Sequence, residues 1–167
     1  MKKRILLIFV VVLSIFLVSC SGYTKTKVSG TKEILNKLDV GMTINTELAE
    51  NVQYSIVNGK IGCIEFEYEG NKFVYQSTTK CNINQLEQIN SIPGKAQFRY
   101  LVAHDDLKFS VYPIVGENGN EGTVAEWTAE LESGTYKAWY ILYTFDYVVE
   151  QSNLGEIEYV LNNIIGM

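Results

Sequence analysis

Residues 52–78 read VQYSIVNGKIGCIEFEYEGNKFVYQST, and this stretch carries the clearest strand and turn signals of the chain. Apolar and polar residues alternate through most of it, which is the period of a half-buried β-strand. Asn58-Gly59 and Gly70-Asn71 interrupt the alternation with residues that tolerate the positive φ angles of tight hairpin turns. The stretch therefore predicts three antiparallel strands in succession, over residues 52–57, 60–69 and 72–78.

The second turn predicts which side chains share a face. With Gly70-Asn71 as the turn, Glu69 pairs with Lys72 and Phe66 pairs with Tyr75. Ile61 and Cys63 then fall out of phase with Ile64, and a β-bulge at Gly62 would bring them back. We expect the core face to carry Ile64, Phe66, Tyr68, Phe73 and Tyr75, and the water face to carry Glu65, Glu67 and Glu69.

The rest of the chain predicts two more hairpins and three short helices. Strands at 97–104 and 107–115 meet about Asp105-Asp106, and strands at 123–132 and 135–147 meet about Ser133-Gly134. Apolar residues at helical spacing predict helices at 32–38, capped by Thr31, at 82–92 and at 154–165. We therefore predict an α+β fold with an antiparallel meander sheet of about seven strands and a C-terminal amphipathic helix. Its further core residues are Tyr100, Phe109, Trp127 and Tyr140.

The first residues of the chain have the layout of an export signal. Residues 2–20 read KKRILLIFVVVLSIFLVSC, three basic residues followed by an apolar run that ends in small residues and a cysteine. The L-V-S-C end is similar to the lipobox of bacterial lipoproteins. That resemblance implies cleavage before Cys20 and a diacylglyceryl thioether on its sulfur. An uncleaved anchor is the alternative, but the apolar run is shorter than the ~20 residues of a comfortable span.

Charge excludes one class of partner. Three of the 14 basic residues and none of the 19 acidic residues lie in the leader, so the mature chain has a net charge of −8. An acidic surface repels phosphates, and we therefore expect no nucleic acid partner. We expect a signal peptide at 1–19, a flexible tether at 20–30 and a single domain at 31–167, held at the extracytoplasmic face of the cell membrane by the lipid alone.

Four segments resemble a known family. They are the hairpin of residues 54–66, the strand start of residues 70–76, Ala125-Glu126-Trp127 and Gly134-Thr135-Tyr136, followed by a final helix. This order is similar to that of a domain of unknown function in secreted lipoproteins and envelope-associated regulators of Gram-positive bacteria. The likeness covers residues 38–166. The resemblance implies the fold of the domain and its location outside the cytoplasm, and it implies no catalytic residue.

Two cysteines remain after lipidation of Cys20. Cys63 and Cys81 would work in a compartment where disulfides persist. In the predicted register Cys63 opposes Thr78, and three further strand residues, ~10 Å, separate that point from Cys81. A bridge requires the chain to turn back after Thr78. A bridge and two separate thiols therefore both stay open, and a reactive thiol is disfavoured because Cys63 lies in an apolar strand.

The sequence carries one histidine–carboxylate cluster, His104-Asp105-Asp106. A nucleophile–base pair needs a Ser or Cys within hydrogen-bond reach, and no recognisable elbow supplies one. We interpret Asp105-Asp106 as a turn, with His104 at a strand end where it could respond to pH. The 116–122 loop, GENGNEG, lacks the EF-hand order of ligands and is interpreted as a hairpin loop. We predict no metal, no cofactor and no catalytic residue.

The last long strand is apolar on both faces. Trp139, Tyr143 and Tyr147 alternate on one side of it, and the two interpretations are a central strand with both faces covered or an exposed binding surface. We predict that a ligand meets the domain through these rings, with His104 beside them. The sequence thus indicates a non-enzymatic lipoprotein that binds a protein, peptide or wall component or senses envelope state. The alternative is an envelope hydrolase or other enzyme with His104 as its base.

Overall fold

The computed structural model describes residues 24–79, 89–91, 100–104, 107–116, 119–130 and 137–165. Its first half is an antiparallel run of four strands with a helix after the first strand. These elements are β1 (Lys25–Lys27), α1 (Thr31–Leu38), β2 (Glu50–Val57), β3 (Ile61–Tyr68) and β4 (Asn71–Thr79). β2, β3 and β4 each pair with the strand before them, and the connections from β2 to β3 and from β3 to β4 are short hairpin turns.

The second half adds strands and the final helix. These elements are β5 (Ile89–Ser91), β6 (Tyr100–His104), β7 (Leu107–Gly116), β8 (Glu121–Glu130), β9 (Lys137–Thr144) and α2 (Leu154–Tyr159), which continues as a π-helical turn over Val160–Ile164. One sheet joins them in the order β1-β2-β3-β4-β9-β8-β7-β5, and β6 also pairs with β7. Of the nine strands in the described residues, β1 and β5 have only three residues each. The predicted α+β fold with about seven strands in an antiparallel sheet and a C-terminal helix is confirmed.

Two of the predicted hairpins have the expected register. Val102 pairs with Phe109 and His104 with Leu107, as a turn at 105–106 requires. Trp127 pairs with Tyr140, as a turn at 133–134 requires. The sequence did not predict the contact between the two halves, in which β4 pairs with β9.

The β3–β4 turn lies one residue earlier than predicted. Tyr68 pairs with Asn71, and Phe66 pairs with Phe73 rather than with Tyr75. The turn is therefore Glu69-Gly70, with φ angles of 49° and 78°. Two consecutive positive φ angles match the hand of a twisted hairpin, and Gly70 supplies the second without strain. The correction moves each pairing by two residues along β4, so the faces stay as predicted.

The β2–β3 turn has three residues, because Val57 pairs with Ile61 across Asn58-Gly59-Lys60. Strict alternation continues through Gly62, and the predicted bulge there is wrong. The register shift lies instead between Glu50 and Gln53, where Asn51 has a φ of 52°. Ile61 and Cys63 stay out of phase with Ile64 because each face of the sheet has its own buried cluster.

The larger core lies between the sheet and the helices. It contains Phe66, Phe73, Tyr75, Phe109, Trp127 and Tyr140, all predicted as core, together with Ile34 of α1 and Ile157, Leu161 and Ile164 of the final helix. The smaller core lies on the opposite face and contains Val57, Ile61, Cys63, Ile114, Val124 and Ile141. Of the three acidic residues predicted in water, Glu69 is exposed, and Glu65 and Glu67 are half-buried. For Tyr100 the structure describes the backbone strand and not the side chain.

Three local predictions need correction. Gly30, not Thr31, is the N-cap of α1, and the Ser29 N–H and hydroxyl both donate to Glu33 Oε2, at 2.8 and 2.9 Å. Lys25–Lys27 forms strand β1 and Val28 packs against the core, so the last part of the expected 20–30 tether belongs to the domain. A helix is predicted at 82–92, but Ile89–Ser91 forms a strand. The remaining residues of that segment lie outside the described ranges.

Candidate functional site

The aromatic residues predicted to form one binding stripe lie on two faces of the sheet. Trp139 and Tyr143 of β9 pack against the smaller core, on the face opposite to the helices. Tyr143 also makes an edge-to-face contact with Phe145, at 5.7 Å between ring centroids. Tyr147 packs against the larger core and meets Phe73 edge to face at 6.4 Å. The three predicted rings therefore do not form a single surface.

The end of β9 explains this separation. The strand ends at Thr144, and a bend follows at residues 145–146. The Thr144 hydroxyl accepts a hydrogen bond from the Asp146 N–H at 3.1 Å, and Thr123 Oγ1 donates to the Tyr147 carbonyl at 2.9 Å. The period of two stops where the strand stops, so spacing along the sequence no longer decides the face.

The other predicted site residues are described only in part. His104 is the last residue of β6, and its side chain is not described. Cys20 and Cys81 lie outside the described residues, so lipidation stays a prediction, and a Cys63–Cys81 bridge and two separate thiols both stay open. Cys63 itself is a free cysteine, only 1% exposed.

The environment of Cys63 keeps its thiol protonated. Burial is the main cause that raises the pKa of this thiol, and the charge of Glu65 raises it further. Gln76 Nε2 lies 4.0 Å from the sulfur and donates a weak hydrogen bond. A buried, protonated thiol is a poor nucleophile, and the structure gives Cys63 a packing role in the smaller core.

A cleft of about 410 Å³ lies at the other end of β3, between the β3–β4 turn and the final helix. The sheet contributes Tyr68, Glu69, Asn71 and Phe73 to its lining. The segment after β9 and the helix contribute Tyr147, Gly155, Glu156, Tyr159 and Val160. A volume of this size falls within the range of ~300–1,000 Å³ that small-ligand sites occupy.

Local chemistry places the walls of the cleft. The positive φ angles of Glu69 and Gly70 turn the chain tightly, so Tyr68 and Asn71 stand opposite each other. Asp146 accepts a hydrogen bond from the Lys72 N–H, which fixes the bend before Tyr147 against the start of β4. Gly155 has open space where a Cβ atom would stand, so its lack of a side chain leaves room in the cleft.

The four rings of the cleft form two contacts. Tyr68 and Tyr159 stack at 5.5 Å with an angle of 14° between ring planes, and Tyr159 is 42% exposed. Phe73 and Tyr147 form the edge-to-face pair behind them. Pairs of this geometry contribute ~0.5–1.5 kcal/mol beyond the area they bury. The rings are therefore held in place before any ligand arrives.

The polar groups of the cleft are phenols and carboxylates. The Tyr68 hydroxyl donates to Glu69 Oε1 at 3.0 Å, and desolvation followed by this contact raises the pKa of Tyr68 to about 12. Burial, and next the charge of Glu156, raises the pKa of Tyr147 well above its ordinary value. The Tyr147 hydroxyl is buried and has no hydrogen-bond partner among the described residues. Both phenols thus stay neutral at physiological pH.

The carboxylates of the cleft meet no basic side chain in the described part of the chain. Among the described residues, neither Glu69 nor Glu156 takes part in an ion pair. A second depression, of about 300 Å³, lies beside β2 and also contains carboxylates. There Glu67 accepts a hydrogen bond from Asn51 at 2.7 Å and stands opposite Lys72. The cleft at the helix is therefore the better candidate for a site that recognises a charged group.

Sequence reasoning did not find this cleft. The sequence predicts Tyr68 on the core face of β3, and it gives no binding role to Glu156 or Tyr159. One signal was present, because Tyr159 falls outside the apolar stripe of Leu154, Ile157 and Leu161. A large aromatic side chain on the polar side of a helix is worth testing as a contact residue.

Comparisons with known proteins do not place the chain in a family. A scan against protein-family models, a search of curated proteins and a search of solved structures each find no match. The resemblance to the secreted lipoprotein domain therefore stays a prediction. Within the residues that the structure describes, no helix has the length and apolar character needed to cross a membrane.

Proposed function

We propose that this chain is a lipid-anchored extracytoplasmic binding protein that performs no chemistry on its ligand. The cleft between the β3–β4 turn and the final helix is its binding site. The observation that carries this proposal is the lining of the cleft. Four fixed aromatic rings stand there with two carboxylates that form no ion pair among the described residues and a buried hydroxyl that has no hydrogen-bond partner among them. Rings and oriented polar groups are what small-ligand sites use for affinity and specificity.

The sequence supports a membrane location, and the start of the described fold limits the distance between the lipid anchor and the domain. The leader ends in L-V-S-C, and the described fold begins at Thr24, whose N–H donates to Asn58 Oδ1 at 2.9 Å. Three residues lie between the lipidated Cys20 and Thr24, and the four Cα-to-Cα steps span at most ~14 Å. The Asn58-Gly59-Lys60 turn is thus held close to the membrane surface.

The same geometry supports an outward position for the cleft. Strand β3 begins beside that turn and ends at Tyr68, on the rim of the cleft. Its eight residues extend the domain by about 23 Å. The cleft therefore lies at the end of the domain away from the anchored turn, where a wall component, a peptide or another protein can reach it.

Lipidation is tested by changing the acceptor cysteine. Cys20→Ala should leave an unprocessed precursor that incorporates no labelled fatty acid, because no sulfur remains for the thioether. Cys81→Ala is the matched control, since it removes a cysteine and keeps the lipobox, and it should label as the unaltered chain does. Normal labelling of the Cys20→Ala chain would contradict the proposal.

Use of the cleft is tested by photo-crosslinking in growing cells. A photoreactive phenylalanine at position 159 should capture an envelope component, because this ring stands at the mouth of the cleft and is 42% exposed. The same group at position 35 is the control, since Leu35 is 45% exposed on α1 and does not line the cleft. Adducts of equal yield and composition at both positions would show that the cleft has no special role.

The enzymatic alternative has its own measurement. The purified chain is incubated with wall material, and released fragments are followed with time. Our proposal expects no turnover. Release of fragments by the unaltered chain, lost in His104→Ala, would establish the hydrolase instead, because His104 is the base which that alternative requires.

A further inference from the structure

We infer that the cleft selects an organic cation, an ammonium group carried on a small apolar body. This inference rests on the proposed function, because it names the ligand class of the same site. It depends on three properties of the cleft, which are its charge, the exposed face of a tyrosine stack and a buried hydroxyl without a partner.

The charge of the cleft has one sign. Among the residues that the structure describes, its lining contains the carboxylates of Glu69 and Glu156 and no Lys, Arg or His. Because neither carboxylate has an ion-pair partner among the described residues, their field is open to a ligand. A partly enclosed cleft with low-dielectric walls focuses such a field more strongly than an open surface does. The same field repels phosphates and carboxylates.

The rings favour a cation for a second reason. The face of an aromatic ring is electronegative, and it attracts ammonium groups that approach within ~6 Å of the ring centre. Tyr68 and Tyr159 stack face to face, so an outer face of the exposed Tyr159 ring stays available to a ligand. Surfaces that combine tyrosine rings with carboxylates are suited to alkylammonium groups, because the rings contact the methyl or methylene carbons while the carboxylates balance the charge.

The hydroxyl of Tyr147 adds a polar contact. It is enclosed by the protein and has no hydrogen-bond partner among the described residues, a state that costs stability until a hydrogen bond is made. Burial and the nearby charge of Glu156 keep it protonated. A ligand with a hydroxyl or a similar small polar group beyond its ammonium hydrogen-bonds with this phenol once it displaces the groups that cover the oxygen. The cleft thus fits a cation with a short polar arm.

Choline and 3,3-dimethyl-1-butanol form the probe pair for this inference. They have nearly the same shape and the same hydroxyl, and they differ in the positive charge of the nitrogen. Each is titrated into the full-length mature chain in a maltoside detergent, which carries no charge, and tyrosine ring resonances are followed by NMR. We expect choline to bind ~10-fold more tightly than the neutral alcohol and to shift the Tyr159 ring.

Carboxylate variants test whether the cleft supplies the discrimination. Glu156→Gln and Glu69→Gln should each weaken choline binding several-fold and leave the affinity for the alcohol unchanged. Both residues are exposed, so the fold should tolerate the substitutions. Glu158→Gln is the matched control, because Glu158 lies on the same helix and does not line the cleft, and it should leave both affinities unchanged. Added salt should weaken the binding of choline alone.

The outcomes separate this inference from the proposed function. Equal affinity for the two probes, or no shift of cleft resonances with choline at any soluble concentration, would overturn the cation inference. The crosslinking result at position 159 decides independently whether the cleft is a binding site, because that experiment does not depend on the charge of the captured component.

Discussion

Gly62 of β3 lies directly beneath Ile34 of α1, so closely that a Cβ atom at position 62 would stand 2.6 Å from Cγ2 of Ile34 and 2.8 Å from Sδ of Met42. The helix reaches the sheet only because this strand position carries no side chain. Ile34 is fully buried at this contact. The glycine that looked like a bulge in the sequence is therefore a packing position.

We predict that Gly62→Ala destabilises the domain. The added methyl group must displace α1 or strain the strand, and overpacking of this kind costs ~1–3 kcal/mol. Equilibrium unfolding in urea measures the loss. Gly41→Ala is the control, since a Cβ atom there meets nothing within 4 Å. A Gly62→Ala chain as stable as the control variant would contradict the close contact.

We predict a second loss of stability for Phe66→Ala. Phe66 is 2% exposed and stacks on Phe73 with ring centroids 5.4 Å apart, so truncation leaves a cavity in the larger core. The expected cost is ~3–5 kcal/mol. Phe145→Ala removes the same atoms from a ring that is 37% exposed and should cost much less. Similar midpoints of urea unfolding for the two variants would refute the assignment of faces.

We predict that Cys63 reacts slowly with a thiol reagent in the folded chain. Burial raises the pKa of the thiol and blocks access to it, so little thiolate meets the reagent. In Cys81→Ala, Cys63 is the only thiol left after lipidation of Cys20, and it should react slowly in buffer and rapidly in denaturant. Fast reaction in the folded state would contradict the buried position.

The thiol count of the unaltered chain decides the bridge between Cys63 and Cys81. In denaturant without reductant, two separate thiols react with the reagent and a bridged pair does not. The structure has Cys63 as a free thiol, and we therefore expect both to react.

We predict a pH-dependent contribution from Glu33 at the start of α1. A hydrogen bond from Lys37, followed by those from the Ser29 N–H and hydroxyl, lowers the pKa of Glu33 from 4.5 to about 2. A lowered folded-state pKa means that the ionised form stabilises the fold above pH 4.5 and that this contribution is lost as pH falls from 4.5 towards 2.

An NMR titration of the Glu33 carboxyl carbon checks this pKa directly. Lys37→Met removes the first of these causes and should return the pKa part of the way to its ordinary value. The difference in melting temperature between the unaltered chain and Glu33→Gln should shrink across the same pH window. A Glu33 pKa that Lys37→Met does not change would show that the i,i+4 pair is not formed in solution.

The sequence predicted turns and strand faces well, because these features depend on residues that are close together in the chain. Asn58-Gly59 and Gly70-Asn71 predict turns because positive φ angles suit few residue types, and Asn58, Gly59 and Gly70 all have positive φ angles in the structure. The alternation from Ile61 to Tyr68 assigns the two faces of β3 because the side-chain period of a strand is two. The one-residue error at the second turn arose because Glu69 takes a positive φ that Asn71 was expected to take.

Contacts between distant residues could not be predicted in this way. The pairing of Val74 with Tyr143 joins strands that are far apart in the chain, and no turn signal specifies such a pairing. Ile61 and Cys63 are apolar because they belong to the smaller core on the second face of the sheet. Alternation does not reveal whether a second face is covered, so the sequence predicted a bulge there instead.

The sequence alone predicts the longer strands, the approximate positions of their turns and the amphipathic final helix, because each depends on residues within about one element length of one another. It does not predict that Tyr143 and Tyr147 lie on opposite faces of the sheet or that Tyr159 stacks on Tyr68. These relations depend on where strand β9 stops and how the final helix docks, and packing of the whole core sets both. The cleft exists only in that packing, so no segment of the sequence contains it.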